Sequence, residues 1–320
     1  MLIIQKFGGS SLADLAAMRR SAVNTLRAVQ AGHRVVAVVS ARGKSTDELL
    51  SLSREISSAA PKRELDALLA TGEQQSAALF AILLDSLGQS ARSFTGWQAG
   101  LHAGGEHGDG RVEWVLPVRL RETLQEGAVA VVTGFQALND AGDLITLGRG
   151  GSDTSAVALA AALEADRCEI YTDVDGIYTA DPRLLPEAKL LPEIDYDDML
   201  RLAQAGSQVL HDRSVALARS SGTEIRLLSS AVESVGSAVR ALPESRRPPY
   251  AGLTRDREAG TLTLVGREAG AQALSRLVLR LAEWEIPVFG GVVGPGAVSV
   301  TLAPEHLEPA LRLAHELFFP

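Results

Sequence analysis

Two stretches of this chain gather more chemistry than a turn or a helix start requires. Thr146-Leu147-Gly148-Arg149-Gly150-Gly151-Ser152-Asp153-Thr154-Ser155 sets an arginine among three glycines and five polar side chains, directly before an apolar run. Arginine grips a carboxylate through two parallel N–H bonds, and neighbouring N–H groups and hydroxyls can hold the rest of an anionic substrate. Thr172-Asp173-Val174-Asp175-Gly176-Ile177-Tyr178-Thr179-Ala180-Asp181-Pro182-Arg183 leaves a strand-like run with three acids, an aromatic and an arginine. A calcium loop would need a glutamate at its far ligand position, and none stands there. A nucleotide loop, with Tyr178 near the base and Arg183 near phosphate, fits better.

Three shorter segments are weaker alone. Lys6-Phe7-Gly8-Gly9-Ser10-Ser11 puts a lysine and two glycines where a strand meets a helix start. Backbone N–H groups can approach phosphate oxygens there, although the spacing is not that of a Walker A loop. Ser40-Ala41-Arg42-Gly43-Lys44-Ser45-Thr46-Asp47 follows the second strand-like run, and Thr71-Gly72-Glu73 is expected to open a long helix. A solvated loop and a helix cap would explain these two equally well.

The elements that must carry these residues follow from periodicity. Leu2 to Phe7 reads as a strand, and Ser11 with Asp14 as a capping box. Leu15, Met18, Ala22, Leu26 and Val29 then share one helical face, which Gly32 ends. Arg34 to Val39 is a β-branched run suited to a strand buried on both faces of a parallel sheet. Strands are expected at 127–132, 169–172 and 224–228, and helices at 154–163 and 199–205. This alternation predicts a three-layer α/β domain with a mostly parallel sheet over 1–230. The Pro-rich stretch Ala241 to Tyr250 reads as part of a linker, 231–249. Strand 261–265, helix 271–284, strands 287–293 and 297–302 and helix 305–317 then predict a small ferredoxin-like unit over 250–320.

The 320 residues carry a net charge of −8, which argues against nucleic acid or an anionic membrane as a partner. No signal peptide is visible at Met1-Leu2-Ile3-Ile4-Gln5-Lys6, and the apolar runs 77–84 and 156–163 are too short to span a bilayer, so a cytoplasmic location is expected. The single cysteine, Cys168, reads as a small core residue. Six histidines show no metal-ligand spacing, so no protein-held metal is expected.

Taken in order and spacing, the five segments, with Thr133-Gly134-Phe135 and Val209-Leu210-His211, resemble the aspartate kinases of the amino-acid kinase superfamily from Lys6 to about Ser230. The resemblance implies transfer of phosphate from ATP to the β-carboxylate of L-aspartate, with Mg²⁺ carried on the ATP phosphates. It implies that Lys6, Phe7, Gly8, Gly9 and Ser40 attend the phosphates, with Asp153 orienting Lys6. Thr46, Glu73, Arg149, Gly150, Gly151 and Ser152 would bind aspartate, Arg149 taking a carboxylate and Glu73 the α-ammonium. Thr172, Asp173, Tyr178, Asp181 and Arg183 would line the ATP pocket. Other acyl-phosphate-forming kinases of the superfamily, and a weakly active regulatory paralogue, are the alternatives.

The sequence departs from that family in two places. Where the family has Gly-Ala-Lys-Val-Leu-His, this chain reads Gly206-Ser207-Gln208-Val209-Leu210-His211, so Gln208 replaces a second phosphate cation. Arg183 or Arg213 is expected to compensate in part. Tyr250 to Ala259 resembles the entry to the family's first ACT module, and Leu313 to Phe319 resembles the end of its last. The space between holds one module, with Glu268-Ala269-Gly270 and Gly294-Pro295-Gly296 altered at the turns expected to contact effectors. Feedback by lysine or threonine is therefore expected to be lost. A homodimer through this module is expected, by sheet edges or the Leu274/Leu277/Leu281 face.

Overall fold

The computed structural model describes residues 1–232 and 234–320; residue 233, inside the expected linker, lies outside the described residues. The chain divides into two compact units, Met1–Asp175 with Ser220–Gly236, and Gly176–Arg219 with Ser237–Pro320. Residues 176–219 thus group with the C-terminal segment.

In the first unit the chain runs β1 (Leu2–Phe7), α1 (Leu15–Gln30), β2 (Arg34–Val39), α2 (Ser45–Ile56), α3 (Lys62–Ser86), β3 (Ala91–Phe94), β4 (Leu101–Gly104), β5 (Arg111–Val115), α4 (Val118–Gln125), β6 (Val129–Thr133), β7 (Gln136–Leu138), β8 (Leu144–Thr146), α5 (Gly151–Leu163) and β9 (Arg167–Thr172), to which β13 (Ile225–Ser229) returns. Six strands pair in parallel in the order β13-β9-β1-β2-β6-β3. Val35, Ala37 and Val39 face the cluster that holds Met18, Phe80 and Leu84 of α1 and α3. By the two-residue strand period Val36 and Val38 face the other way, and they too are buried. The result is helix, sheet, helix, as the β-branched run of β2 foretold. A smaller sheet, β5-β4-β7-β8, sits beside it in the chain order.

Helix α3 is long and apolar enough to cross a membrane by length and composition, yet half of its apolar window is buried. Its inward side carries Leu69, Phe80 and Leu84 together with the carboxylates Asp66 and Glu73. That is the side of a core helix.

Several expectations need correction. Thr71-Gly72-Glu73 does not open a helix but lies in the middle of α3, which begins after Pro61, a residue suited to a helix start. Thr71 donates to the Leu68 carbonyl instead of capping. Asp14, not Ser11, caps α1, accepting from the Ala17 N–H at 2.7 Å. The helix expected at 154–163 starts earlier, at Gly151.

The second unit holds β10 (Ile177–Tyr178), β11 (Leu190–Leu191), β12 (Glu193–Asp195), α6 (Tyr196–Gln204), the main part of α7 (Asp212–Ser221), β14 (Ser237–Arg240), β15 (Gly252–Asp256), β16 (Thr261–Val265), α8 (Ala271–Glu283), β17 (Gly290–Gly294), β18 (Ala297–Thr301) and α9 (Leu307–Phe318). Its antiparallel sheet has the order β15-β16-β18-β17, with β15 in the place that a final strand takes in a ferredoxin-like unit. Leu277 and Leu281 of α8 are fully buried in the core of this sheet, with Leu274 packed against them. That face, expected at an interface, is used up by the fold. Part of the expected linker is strand β14, and Arg247 of the Pro-rich stretch is fixed by Asp198, 2.9 Å away.

Candidate active site

The parallel strands β1, β2 and β6 end at one edge of the sheet, which is where ligands bind in open α/β sheets. A cavity of about 330 Å³ opens there. Lys6 and Gly9 line it from the end of β1, Ser40, Ala41 and Gly43 from the end of β2, and Thr46 from the first turn of α2. Glu73 enters from α3, Phe135 follows β6, and Gly148, Gly150, Gly151, Ser152 and Asp153 form the start of α5.

Two of these side chains are set up electrostatically. The Lys6 ammonium lies 2.7 Å from Asp153 Oδ1, an ion pair by distance that lacks hydrogen-bond alignment at that oxygen. Both side chains are mostly buried, so Lys6 is held at the cavity wall rather than sweeping through solvent. Glu73 is 3% exposed. Its Oε1 accepts the Ala41 N–H at 3.0 Å, and its Oε2 is buried with no hydrogen-bond partner among the described residues. Burial pushes this carboxyl up from its ordinary value of 4.5 to about 7. A buried carboxylate oxygen without a donor calls for a cation, and none is supplied by the described residues around it.

The loops around the cavity are shaped by close approach. Phe135 has φ 71°, a left-handed conformation that a non-glycine residue adopts only when its surroundings impose it. Its N–H donates to Ser155 Oγ at 3.1 Å, and that hydroxyl donates to the Gly151 carbonyl at 2.9 Å. A Cβ on Gly134 would lie 2.7 Å from Ser152 Cβ, so only glycine lets this loop meet the start of α5. Gly150, with φ 67°, precedes the first residue of α5.

Of the residues singled out in the sequence, the cavity brings together Lys6, Gly9, Ser40, Thr46, Glu73, Gly150, Gly151, Ser152 and Asp153. Gly8 lies next to them, its Cα direction 3.5 Å from Lys6 Nζ for an added Cβ. Phe7 does not reach it: its ring is fully buried, 4.9 Å from the Tyr171 ring and 5.4 Å from Phe80. Arg149 is exposed between two lining glycines and does not itself line the cavity. Thr172 ends β9 and Asp173 follows it, Thr172 Oγ1 donating to Asp173 Oδ1 at 2.9 Å. Tyr178, Asp181, Arg183 and Gln208 belong to the second unit. There Arg183 donates to both Asp181 oxygens, at 3.0 and 2.9 Å, and this fork holds the Asp181 carboxyl below its usual range. Gln208 is exposed.

Ala41, Gly43, Phe135 and Gly148, which stand in the segments singled out in the sequence but received no individual role, also line the cavity. For Phe135 a signal existed, since Thr133-Gly134-Phe135 leaves a buried strand directly. Among the described residues no group of three or more His, Cys, Asp or Glu side chains could hold a metal ion.

A model of the amino acid kinase family matches residues 1–229, and the chain belongs to that family. Among curated proteins it is 48% identical to the aspartokinase of Mycolicibacterium smegmatis over 83% of this chain and 64% of that protein. It is 43% identical to the aspartokinase of Geobacillus stearothermophilus over 90% of this chain and 71% of that protein. The structure resembles that of Escherichia coli aspartokinase III in complex with aspartate and ADP, with a TM-score of 0.72, 26% identity, and coverage of 95% of this chain and 79% of that one. Within the family its place is therefore among the aspartokinases. The chain spans about two thirds of the length of these curated relatives.

Proposed function

We propose that this chain is an aspartate kinase, transferring the γ-phosphoryl group of ATP to the β-carboxylate of L-aspartate to give 4-phospho-L-aspartate. The observation that best supports this reading is the presence in one cavity of the Lys6–Asp153 ion pair and the unpartnered Oε2 of Glu73. A substrate with an α-ammonium and a nearby carboxylate satisfies both, because Glu73 takes the ammonium while Lys6 lies where the phosphoryl group must arrive. An N-acylated amino acid would leave Glu73 unsatisfied, which disfavours acetylglutamate.

The chemistry asks little of the protein beyond position and charge. A carboxylate oxygen of aspartate forms a bond to the γ-phosphorus as the bond to the bridging oxygen breaks, and ADP leaves with that electron pair. The nucleophile is already ionised at pH 7, so no general base is needed. Lys6 neutralises charge on the transferring group, and Asp153 holds Lys6 in place. Gly8, Gly9 and Ser40 attend the phosphates; Thr46, Ser152, Gly150, Gly151 and Arg149 attend aspartate. Mg²⁺, arriving on the nucleotide, supplies further neutralisation of phosphate charge. Thr172, Asp173, Tyr178, Asp181, Arg183 and Gln208 are assigned to ATP.

We further propose residues 1–230 as the catalytic domain, 231–249 as the joining segment and 250–320 as one ACT-like domain, in a cytoplasmic homodimer formed through that domain. With Leu277 and Leu281 buried, the available contact is the edge strand β17, where Val292 and Val293 are exposed. Trapping the acyl phosphate as a hydroxamate tests the activity. Product that needs both ATP and L-aspartate, with glutamate and acetylglutamate inert, is the expected result. No product above background at high enzyme concentration would favour a binding paralogue instead.

A further inference from the structure

The loop assigned above to ATP has no core of its own. Ala180, Leu185 and Ala188 are buried in the same cluster as Leu262 and Leu264 of β16 and Leu277 of α8. Thr179, one residue beyond Tyr178, is 3% exposed and every polar atom it has is engaged. Its N–H donates to the Lys189 carbonyl at 2.9 Å, and its carbonyl accepts from the Leu253 N–H of β15 at 2.7 Å. Its hydroxyl accepts from the Lys189 N–H at 2.9 Å and is hydrogen-bonded to His315 Nε2 of α9, also at 2.9 Å. His315 is 4% exposed and stacks on Phe319, with ring centroids 5.1 Å apart. Burial lowers its pKa, with Lys189 adding to the effect, which keeps the imidazole neutral as a partner for a hydroxyl.

We infer that His315 is a positioning residue for nucleotide binding: through Thr179 it lets helix α9 of the C-terminal segment fix the loop that carries Tyr178, Asp181 and Arg183. The inference rests on the assignment of that loop to ATP. It gives the reduced C-terminal module a task independent of any amino-acid effector. Every contact invoked lies inside one compact unit, so the geometry is that of a single packed body. The physical reason is simple. A short two-strand hairpin, here Ile177 and Tyr178 paired with Leu191 and Leu190, is not stable by itself and takes its position from what it packs against.

The test compares the full chain with His315→Leu, which removes the hydrogen-bonding nitrogen, and His315→Gln, which keeps a polar group at similar reach. Thr179→Val removes the bond from the other side, together with the one that the hydroxyl accepts from the Lys189 N–H, and serves if His315→Leu does not fold. Amide exchange at Thr179 and Lys189 is measured alongside titration with MgADP and the KM for L-aspartate. For His315→Leu, faster exchange at both amides and a MgADP Kd raised about tenfold are expected, the scale of one lost hydrogen bond, and for Thr179→Val, which loses two, a rise at least as large. The KM for L-aspartate should stay within about twofold, and His315→Gln should return the MgADP Kd to within about twofold of wild type. Unchanged exchange would show that the bond does not hold the loop and would overturn the inference. Faster exchange with an unchanged MgADP Kd would show that the loop is held but is not part of the nucleotide site, overturning the inference through the assignment beneath it.

Discussion

Helix α3 carries two buried carboxylates two turns apart, and they have opposite fates. Asp66 is 1% exposed and fully served. It accepts from Thr146 Oγ1 at 2.5 Å, from the Gly108 N–H at 3.0 Å, and pairs with His107 Nδ1 at 2.8 Å. Glu73 is 3% exposed and has one donor, with Oε2 left over. The first ties three segments of the unit together; the second keeps one oxygen without a partner among the described residues. Burial alone therefore does not separate a structural carboxylate from a binding one. Hydrogen-bond satisfaction does.

The comparison can be broken most severely at Asp66. Asp66→Ala would strand the Thr146 hydroxyl, the Gly108 N–H and a His107 nitrogen, and should cost roughly 3–5 kcal/mol in urea unfolding. A loss below about 1 kcal/mol would mean that Asp66 is not the hub its contacts describe.

Glu73 should behave in the reverse sense. Its folded pKa is raised, to about 7 from 4.5, so its cost is absent below pH 4.5, where both folded and unfolded states are protonated. Stability then falls as pH rises through that window to 7, by on the order of 3 kcal/mol, because the unfolded carboxyl ionises first. Glu73→Gln should thus stabilise the unliganded chain at pH 8 and change little at pH 4. In the same variant kcat/KM for L-aspartate should fall on the order of 10²-fold. Equal unfolding curves at pH 8 would remove the claim that this carboxylate is held at a cost.

A smaller effect is expected beside it. A Cβ on Gly72 would come within 2.9 Å of Ala41 Cβ, and the Ala41 N–H is Glu73's one donor. Gly72→Ala should cost about 1–3 kcal/mol in stability and raise the KM for aspartate, although alanine is the better helix former. A stabilised protein with unchanged KM would mean that the two backbones part freely. The least change should come from Gln208→Lys, which adds a cation at an exposed position. Unfolding should shift by less than about 0.5 kcal/mol, while kcat/KM for ATP rises about tenfold if a phosphate cation is missing.

Legibility in the sequence was uneven for physical reasons. The buried run Val35 to Val39 and the glycine-rich start of α5 were plain, because a strand covered on both faces and a loop pressed against a helix start tolerate few residue types. Thr71-Gly72-Glu73 was misplaced, since threonine and glycine signal a helix boundary locally. Only the approach of Ala41 explains a glycine in the middle of α3. Leu274, Leu277 and Leu281 were rightly seen as one apolar face of a helix, but periodicity cannot say whether such a face meets its own sheet or another chain. Phe135 stood in a recognised segment but received no site role, because a left-handed phenylalanine looks in sequence like any other.

By itself the sequence determined the alternation of strands and helices, the segments that carry polar chemistry, and an uncharged glutamine at position 208. These depend on residue type and short-range spacing, which the chain states outright. Tertiary structure decided which of those residues share a cavity, that Phe7 and Arg149 do not line it, and that Asp66 is satisfied where Glu73 is not. Whether a buried group is paired depends on partners 32 to 80 residues away along the chain, and only the folded arrangement brings them within reach.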